Sequence, residues 1–203
     1  MINILTKNGY IGFAPSTFIK SSVVIPIFLF IAIWHTIKLV RHQASPLRFV
    51  LVWAFYLYAY AVVTITLFPI SWFSGNSPIH QHPFGEQYML TLNPINWLNN
   101  SKLQIIGNVL LLVPLTLMGG LLFPKLRTLL RAITVAFSVS FVIELSQLVM
   151  NYFYLGNRVF DTGDLILNTT GGLIGHVLLV LLMKIFPKEV ISKALYAVVA
   201  NEL

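Results

Sequence analysis

The chain contains no cysteine and very little charge. The absence of cysteine excludes disulfide bonds, thiolate nucleophiles and cysteine-based metal sites. Charged residues make up only 9% of the 203 residues, whereas a soluble domain carries roughly 25%. Hydrophobic residues make up 57%, and the mean hydropathy is +0.83. This composition excludes an ordinary water-soluble globule and a disordered chain, and it predicts an integral membrane protein.

Five segments are long and apolar enough to cross a bilayer as helices. A bilayer core of about 30 Å needs about 20 mostly apolar residues in helical form. The five predicted spans cover residues 21–39, 49–70, 105–123, 129–150 and 165–186. The first span contains Pro26, and no small-residue cleavage pattern of a signal peptide follows it. The sequence therefore predicts an all-α, polytopic transmembrane helix bundle that forms a single membrane domain over residues 1–203.

The lysines and arginines divide unevenly between the two sides of such a bundle. Nine fall in the turns after spans one and three and at the end of span five: Lys38, Arg41, Arg48, Lys125, Arg127, Arg131, Lys184, Lys188 and Lys193. Four fall on the other side, in much longer segments: Lys7, Lys20, Lys102 and Arg158. The positive-inside rule then predicts that the N-terminus lies outside and the C-terminus lies in the cytoplasm. Since this topology accounts for the net charge of +7, no nucleic-acid partner is expected.

Two loops on the predicted outer side have distinctive compositions. Residues 71–102 carry five aromatic side chains among proline, glycine and asparagine: Trp72, Phe73, Phe84, Tyr88 and Trp97. Aromatic rings favour the headgroup region of a bilayer, so we expect this loop to be interfacial or re-entrant. Residues 151–163 form the second loop and contain the segment NRVFDTG. On the opposite side, the tail after Pro187 is predicted to form a short interfacial helix.

Seven polar side chains lie in, or directly above, the outer halves of spans three to five. Ionisable and amide groups inside spans are costly, so each of them is a candidate for function. Glu144 and Gln147 are three residues apart on one face of span four, with Glu144 about 9 Å below the outer end of that span. The full set predicts an outward-opening polar pocket, for which no metal or cofactor is expected: Asn108, Glu144, Gln147, Arg158, Asp161, Asp164 and Asn168.

Structural roles compete with function at several of these positions. Asp161 and Asp164 also fit the N-cap and N3 positions of helix five. Asn108 and Asn168 also fit as hydrogen-bonding partners between helices. The small-xxx-small pattern of Gly171–Gly175 favours close helix packing rather than chemistry.

Glu144 is the residue for which a purely structural role is hardest to find. A neutral Glu144 could donate a hydrogen bond or a proton, whereas an ionised one needs a cation. His80 and His82 are interpreted as part of a solvated loop rather than as a metal-binding pair. Ser146 has no identifiable histidine base, and no common hydrolase, metalloprotease or nucleotide-binding motif is present. Catalytic residues are therefore not assigned.

Three segments, in order and with matching spacing, resemble the VanZ-like membrane proteins. RVFDTGDLILNTTGGLIG at residues 158–175 is similar to the signature of that family, as are GNVLLLVPLTLMG at 107–119 and VIELSQL at 142–148. LNPINW, before span three, is a weaker fourth match, so that the resemblance covers residues 92–175. Two positions depart from the family pattern. Gly163 stands where the family usually has a middle aspartate, and Thr116 stands where it usually has glycine.

The resemblance implies a multi-pass protein of the bacterial plasma membrane that reduces susceptibility to teicoplanin and other lipoglycopeptides. These antibiotics hold a lipid tail at the outer leaflet and bind cell-wall precursors. Besides membrane lipids, the expected partners are a lipid-linked cell-wall precursor, a polyprenyl phosphate or the lipoglycopeptide itself. Arg158 would bind a phosphate or carboxylate, and the acids Glu144, Asp161 and Asp164 would bind donors or position Arg158.

Three other functions stay open at the level of sequence. The buried acid and the two acids near the surface would suit a membrane enzyme that acts on a lipid-linked envelope substrate. An intramembrane Glu144 and the kink expected at Pro114 would suit a lipid or small-molecule transporter, although no inverted repeat is visible. A stabilising partner of another cell-wall protein is the fourth reading.

Overall fold

The computed structural model describes residues 1–6, 9–186 and 188–195. Within them, five helices are long and apolar enough to cross a membrane. They are α1 (Ile25–Arg41), α2 (Pro46–Leu67), α3 (Lys102–Leu122), α4 (Leu129–Tyr152) and α5 (Thr162–Ile185). A 3₁₀ turn at Ser21–Val24 extends the first of them to 21 residues. The prediction of a helical bundle with five membrane-crossing segments is confirmed.

Local sequence signals explain where the helices begin. Ser45 is the N-cap of α2, and its hydroxyl accepts a hydrogen bond from the N–H of Arg48. Ser101 does the same for α3, accepting from the N–H of Gln104. Such caps satisfy N–H groups that have no partner inside the helix. Because of these caps, α2 and α3 each begin three residues before the apolar run used to predict them.

α3 and α5 form the most extensive helix pair of the bundle. The backbone of Gly171 lies directly against the carbonyl of Val109, so a Cβ atom at position 171 would collide with it. Thr116 of α3 donates its hydroxyl to the carbonyl of Gly172 at 2.7 Å. The small-residue pattern of α5 therefore serves close packing, as its sequence predicts, and Thr116 contributes a hydrogen bond to the same contact.

Among the described residues, six short strands and their loops cover the end of the bundle at which α2 and α4 finish. β1 (Ile2–Thr6) and β2 (Gly9–Phe13) form an antiparallel hairpin, and β3 (Thr17–Ile19) pairs antiparallel with β4 (Ile70–Trp72). β5 (Leu90–Thr91) pairs parallel with β6 (Phe160–Asp161). We call these strands and the loops that join them the cap.

The cap has a small apolar core of its own. Ile2 and Ile4 are almost fully buried against Ile79 and Tyr154. The N-terminal hairpin therefore packs on both the α2–α3 loop and the α4–α5 loop. Trp72, with 55% of its surface exposed, is one of the loop aromatics that remain at the surface. An interfacial position of this loop stays a prediction.

The cation-rich turns lie at the end of the bundle opposite the cap, since α1–α2, α3–α4 and the end of α5 all meet there. A short helix, α6 (Lys188–Leu195), follows α5 and contacts α2. It coincides with the first half of the predicted tail helix, while residues 196–203 lie outside the described residues. The assignment of this end to the cytoplasm stays a prediction.

Candidate binding site

A cavity of about 380 Å³ lies between α2, α3, α4 and α5, near the cap. Six of the seven predicted site residues line it: Asn108, Glu144, Gln147, Arg158, Asp164 and Asn168. Asp161 does not line it. Much of the remaining wall is apolar and includes Val62, Leu111 and Ile143. The structure thus brings together polar groups from three helices and one loop, in a setting where each is costly unless it has a partner.

Glu144 lines the cavity and is only 2% exposed. Its Oε2 accepts a hydrogen bond of 2.9 Å from the backbone N–H of Asp161. Among the described residues, no ion pair within 4.0 Å joins Glu144 to a cation. The cation expected for an ionised Glu144 is therefore replaced by a backbone donor at the start of α5.

The two aspartates at the start of α5 have different positions. Asp161 is the N-cap, and its Oδ1 accepts from the N–H of Gly163 at 2.7 Å. Asp164 lies in the first turn, half-buried at the cavity wall and facing Asn108 of α3. The N-cap role that the sequence suggests for Asp161 is confirmed. Carboxylates in the first turn also suit the positive end of the helix dipole.

Arg158 lies at the rim of the cavity and is exposed. One terminal nitrogen, Nη2, donates to the backbone carbonyl of Ile65, near the end of α2, at 2.7 Å. Arg158 is joined to none of the acids by an ion pair within the described part of the chain. It is therefore held by the backbone of α2, while a role of the acids in positioning it stays a prediction.

The two buried amides of the cavity bind neighbouring helices. Gln147 Nε2 donates to the carbonyl of Thr66, one residue after the carbonyl that Arg158 binds, at 3.0 Å. Asn168 Nδ2 donates to the hydroxyl of Ser140 on α4 at 3.1 Å. These contacts agree with the role of interhelical hydrogen bonding. Within the described part of the chain, the side-chain carbonyl oxygen of Asn168 has no hydrogen-bond partner.

Asn151 does not line the cavity, but it contacts the segment that carries Arg158. It was not among the predicted residues. It is fully buried, and its Nδ2 donates to the carbonyls of Tyr88 and Arg158, at 3.0 and 2.6 Å. It thereby ties the α2–α3 loop to the segment that carries Arg158. Its position at the end of an apolar helix, where a loop asparagine is common, concealed this role in the sequence.

Gly163 faces away from the cavity. A Cβ atom at this position would lie 2.9 Å from the Cβ of Trp97 and 3.0 Å from Oδ1 of Asp161. The side chain that the family usually carries here would therefore point at the cap and not into the cavity of this chain. The loss of the middle aspartate leaves the set of acids that line the cavity unchanged.

Two further openings adjoin the cavity along α2. One, of about 230 Å³, lies under the N-terminal hairpin and shares Thr66, Gln147 and Arg158 with it. The other, an almost wholly apolar groove of about 420 Å³ between α2 and α4, shares Tyr58, Val62, Thr66 and Ile143. Arg158 thus stands between the polar cavity and a smaller space beneath the cap.

The two loop histidines contact different partners. His82 Nδ1 lies 2.9 Å from Oε2 of Glu86, a partner that sequence reasoning did not identify, and His80 Nε2 contacts the carbonyl of Ser74. Within residues 1–6, 9–186 and 188–195, no three histidine, aspartate or glutamate side chains converge as metal ligands.

Tyr154 joins the two loops of the cap. Its hydroxyl donates to the carbonyl of Pro83 in the α2–α3 loop, and burial raises the pKa of this hydroxyl above its usual 10.0.

A comparison with protein-family models matches more than half of the chain to one family. A family model described as VanZ/LLP1 matches residues 55–183. That range contains α3, α4, all but the last two residues of α5, and all seven predicted site residues. Comparison with curated proteins and with solved structures gives no match.

Proposed function

The chain belongs to the VanZ/LLP1 family, and we propose that this multi-pass membrane protein lowers bacterial susceptibility to teicoplanin and related lipoglycopeptides through its polar cavity. The proposal places the protein in the bacterial plasma membrane with the cap outside. The cavity then lies in the outer leaflet, where lipoglycopeptides and lipid-linked cell-wall precursors are anchored. The observation that carries the proposal is the convergence of six polar side chains on one cavity inside an apolar bundle.

The shape of the cavity supports a lipid-anchored ligand. Besides Arg158, the exposed members of its wall are Ala61 and Ile65 of α2 and Gln104, Gly107 and Leu110 of α3. The opening therefore lies between α2 and α3, and most of its edge is apolar. A molecule with a polar head and a hydrocarbon tail can place its head in the cavity while its tail stays in the surrounding lipid. A lipoglycopeptide, a lipid-linked precursor and a polyprenyl phosphate all have this form.

Arg158 is the natural contact for the anionic part of such a ligand. Among the described residues, Nη2 is the one nitrogen of the Arg158 guanidinium with a hydrogen bond to the protein. A guanidinium has five donors arranged to bind phosphate or carboxylate in pairs. Its fixation to the carbonyl of Ile65 orients the group at the rim before a ligand arrives. Preorganisation of this kind lowers the entropic cost of binding.

The test is antibiotic susceptibility in a teicoplanin-sensitive bacterium that expresses the chain. We expect the intact protein to raise the inhibitory concentration, and Arg158→Ala and Glu144→Gln to remove most of that protection. Arg131→Ala is the matched control, because Arg131 is exposed at the opposite end of the bundle. Membrane levels of all variants are measured by immunoblot. Full protection by Arg158→Ala at an equal membrane level would overturn the proposal.

A membrane enzyme is the second candidate, because the carboxyl groups of Glu144 and Asp164 line one cavity. Such a pair could supply a general acid and a general base. Ser146 does not complete a nucleophilic site, since it lines the apolar groove and its hydroxyl donates to the carbonyl of Val142 in its own helix. Conversion of a lipid-linked substrate by purified protein, lost in Glu144→Gln and detected by mass spectrometry, would favour this candidate.

A further inference from the structure

The cavity contains more hydrogen-bond acceptors than the protein satisfies. Oδ1 of Asn168 is buried and has no donor among the described residues, whereas Oδ1 of Asp164 faces the amide of Asn108 but has no donor within 3.5 Å there. The carboxyl group of Glu144 adds further acceptor capacity, with one oxygen already bound to the N–H of Asp161. On the donor side, the buried group of the described lining without a bond inside 3.5 Å is Nδ2 of Asn108, which faces Asp164. Since buried polar groups are normally paired, the interior is complementary to a group rich in N–H or O–H donors.

Positive charge is confined to the rim of the same cavity. Arg158 is its only lysine or arginine among the described lining residues, and it is exposed near the end of α2. Asn168, in contrast, lies six residues into α5, which places it about 9 Å below the helix start. The cavity is thus polarised, with an anion-binding group at the opening and acceptors inside.

We propose that the cavity binds a lipid phosphodiester whose head group carries hydroxyl or amino donors beyond the phosphate. This inference rests on the proposed function and narrows its ligand. The phosphate would bind Arg158 at the rim, and the donors would reach Asp164, Asn168 and Glu144. The tails would leave through the opening between α2 and α3, past Ile65 and Leu110, which are each 59% exposed.

Two simpler heads fit the cavity poorly. A terminal phosphate carries additional negative charge and no donor-rich group, so entry beyond Arg158 would place it beside Asp164 and Glu144, where like charges repel. A choline head is cationic but has no N–H or O–H group, so it would leave Oδ1 of Asn168 without a donor. A bare polyprenyl phosphate is therefore a weaker ligand than a lipid whose phosphate links to a sugar, a polyol or an amine.

Four phospholipids with identical dioleoyl chains separate these possibilities. Phosphatidylglycerol has hydroxyl donors, phosphatidylethanolamine has ammonium donors, phosphatidylcholine has neither, and phosphatidic acid ends in its phosphate. We expect competition among equimolar lipids, measured by native mass spectrometry of the full chain, to favour the glycerol and ethanolamine heads by about 5-fold. That factor corresponds to roughly 1 kcal/mol for one hydrogen bond. Which of the two is stronger distinguishes hydroxyl from ammonium recognition.

Variants test whether the preference arises in this cavity. Asp164→Asn keeps the size of the side chain and removes its charge, so the ethanolamine head should lose more affinity than the glycerol head. Asn168→Leu removes an acceptor and should reduce the preference for both donor heads. Arg131→Ala serves as control. Thermal unfolding in detergent shows whether each variant is folded. Asn168→Leu loses its hydrogen bond to Ser140. If that variant does not fold, Asp164→Asn still tests the preference.

The outcomes distinguish this inference from the proposed function. Equal binding of the four lipids, or a preference that persists in both Asp164→Asn and folded Asn168→Leu, would overturn the inference and leave the role of Arg158 in antibiotic susceptibility intact. A donor preference that depends on the cavity, together with unchanged protection by Arg158→Ala, would support the ligand class and contradict the proposed function.

Discussion

Glu144, in the fourth membrane-crossing helix, accepts a hydrogen bond from the backbone N–H of Asp161, the N-cap of the fifth, at 2.9 Å. A buried acid of one helix thereby fixes the start of the next. The same N-cap places Asp164 and Asn168 at the cavity wall, one and two turns further along α5. Glu144 therefore has a positioning role in addition to any direct contact with a ligand, and its substitution affects both.

The positioning role of Glu144 predicts a difference between two substitutions. Glu144→Ala leaves the partly buried N–H of Asp161 without this acceptor, which should lower the free energy of unfolding by about 1–3 kcal/mol. Glu144→Gln keeps an oxygen that can accept this bond and should retain most of the stability. Thermal unfolding of purified protein in detergent measures both. Equal losses in the two variants would mean that the bond to Asp161 contributes little.

The contact of α5 with α3 predicts opposite effects of alanine at two glycines. Gly171→Ala places a methyl group against the carbonyl of Val109, and overpacking of this kind costs about 1–3 kcal/mol. Gly107→Ala meets no atom within 4 Å and should gain about 1 kcal/mol from helix propensity. The two variants add the same group, so their unfolding temperatures isolate the effect of packing. Similar temperatures for both would contradict the close approach.

The membrane-crossing helices and most of the cavity lining could be predicted because polar groups inside apolar helices are costly. Asn108, Glu144 and Asn168 stood out from their neighbours for that reason. The position of Arg158 could not be predicted, since its partner is a backbone carbonyl of Ile65, which no side-chain pattern reveals. Backbone acceptors exist at every residue, and only the fold selects among them.

The cap could not be predicted for a different reason. Its strands have two to five residues, and the partners of Ile2 and Ile4 are Ile79 and Tyr154, far away in the sequence. Strand propensity depends strongly on such context. From its sequence, the loop between α2 and α3 therefore shows aromatic side chains without a regular pattern, although its Ile79 belongs to a small core.

The surroundings of Gly163 predict that restoring the usual family residue is unfavourable in this chain. Gly163→Asp would bring a side chain within 3.0 Å of Trp97 and of the Asp161 carboxyl, which adds crowding and like-charge repulsion. We expect lower stability than in the unmodified protein. In a double-mutant cycle, Trp97→Gly, which removes the Cβ atom that the new side chain would meet, should offset part of this loss. Strict additivity of the two substitutions would show that Trp97 does not oppose the new side chain.

The raised pKa of Tyr154 predicts a loss of stability at alkaline pH. Burial holds the folded-state pKa above 10.0, so above that pH the unfolded chain releases a proton that the folded chain keeps. Stability conferred by this group is complete below pH 10 and declines as the pH rises further. Tyr154→Phe should lose the hydrogen bond to Pro83 and be less stable at pH 7, with a shallower decline between pH 9 and 11. Parallel declines in the two proteins would contradict this assignment.

The orientation across the membrane can be tested directly because the chain has no cysteine. Asn76 is exposed in the cap, and Thr128 is exposed in the turn between α3 and α4. The distribution of cations predicts the cap outside. A membrane-impermeant maleimide should therefore label Asn76→Cys in intact cells and label Thr128→Cys only after the membrane is permeabilised. The reverse pattern would place the polar cavity in the cytoplasmic leaflet, away from lipoglycopeptides, and would contradict the proposed function at its first step.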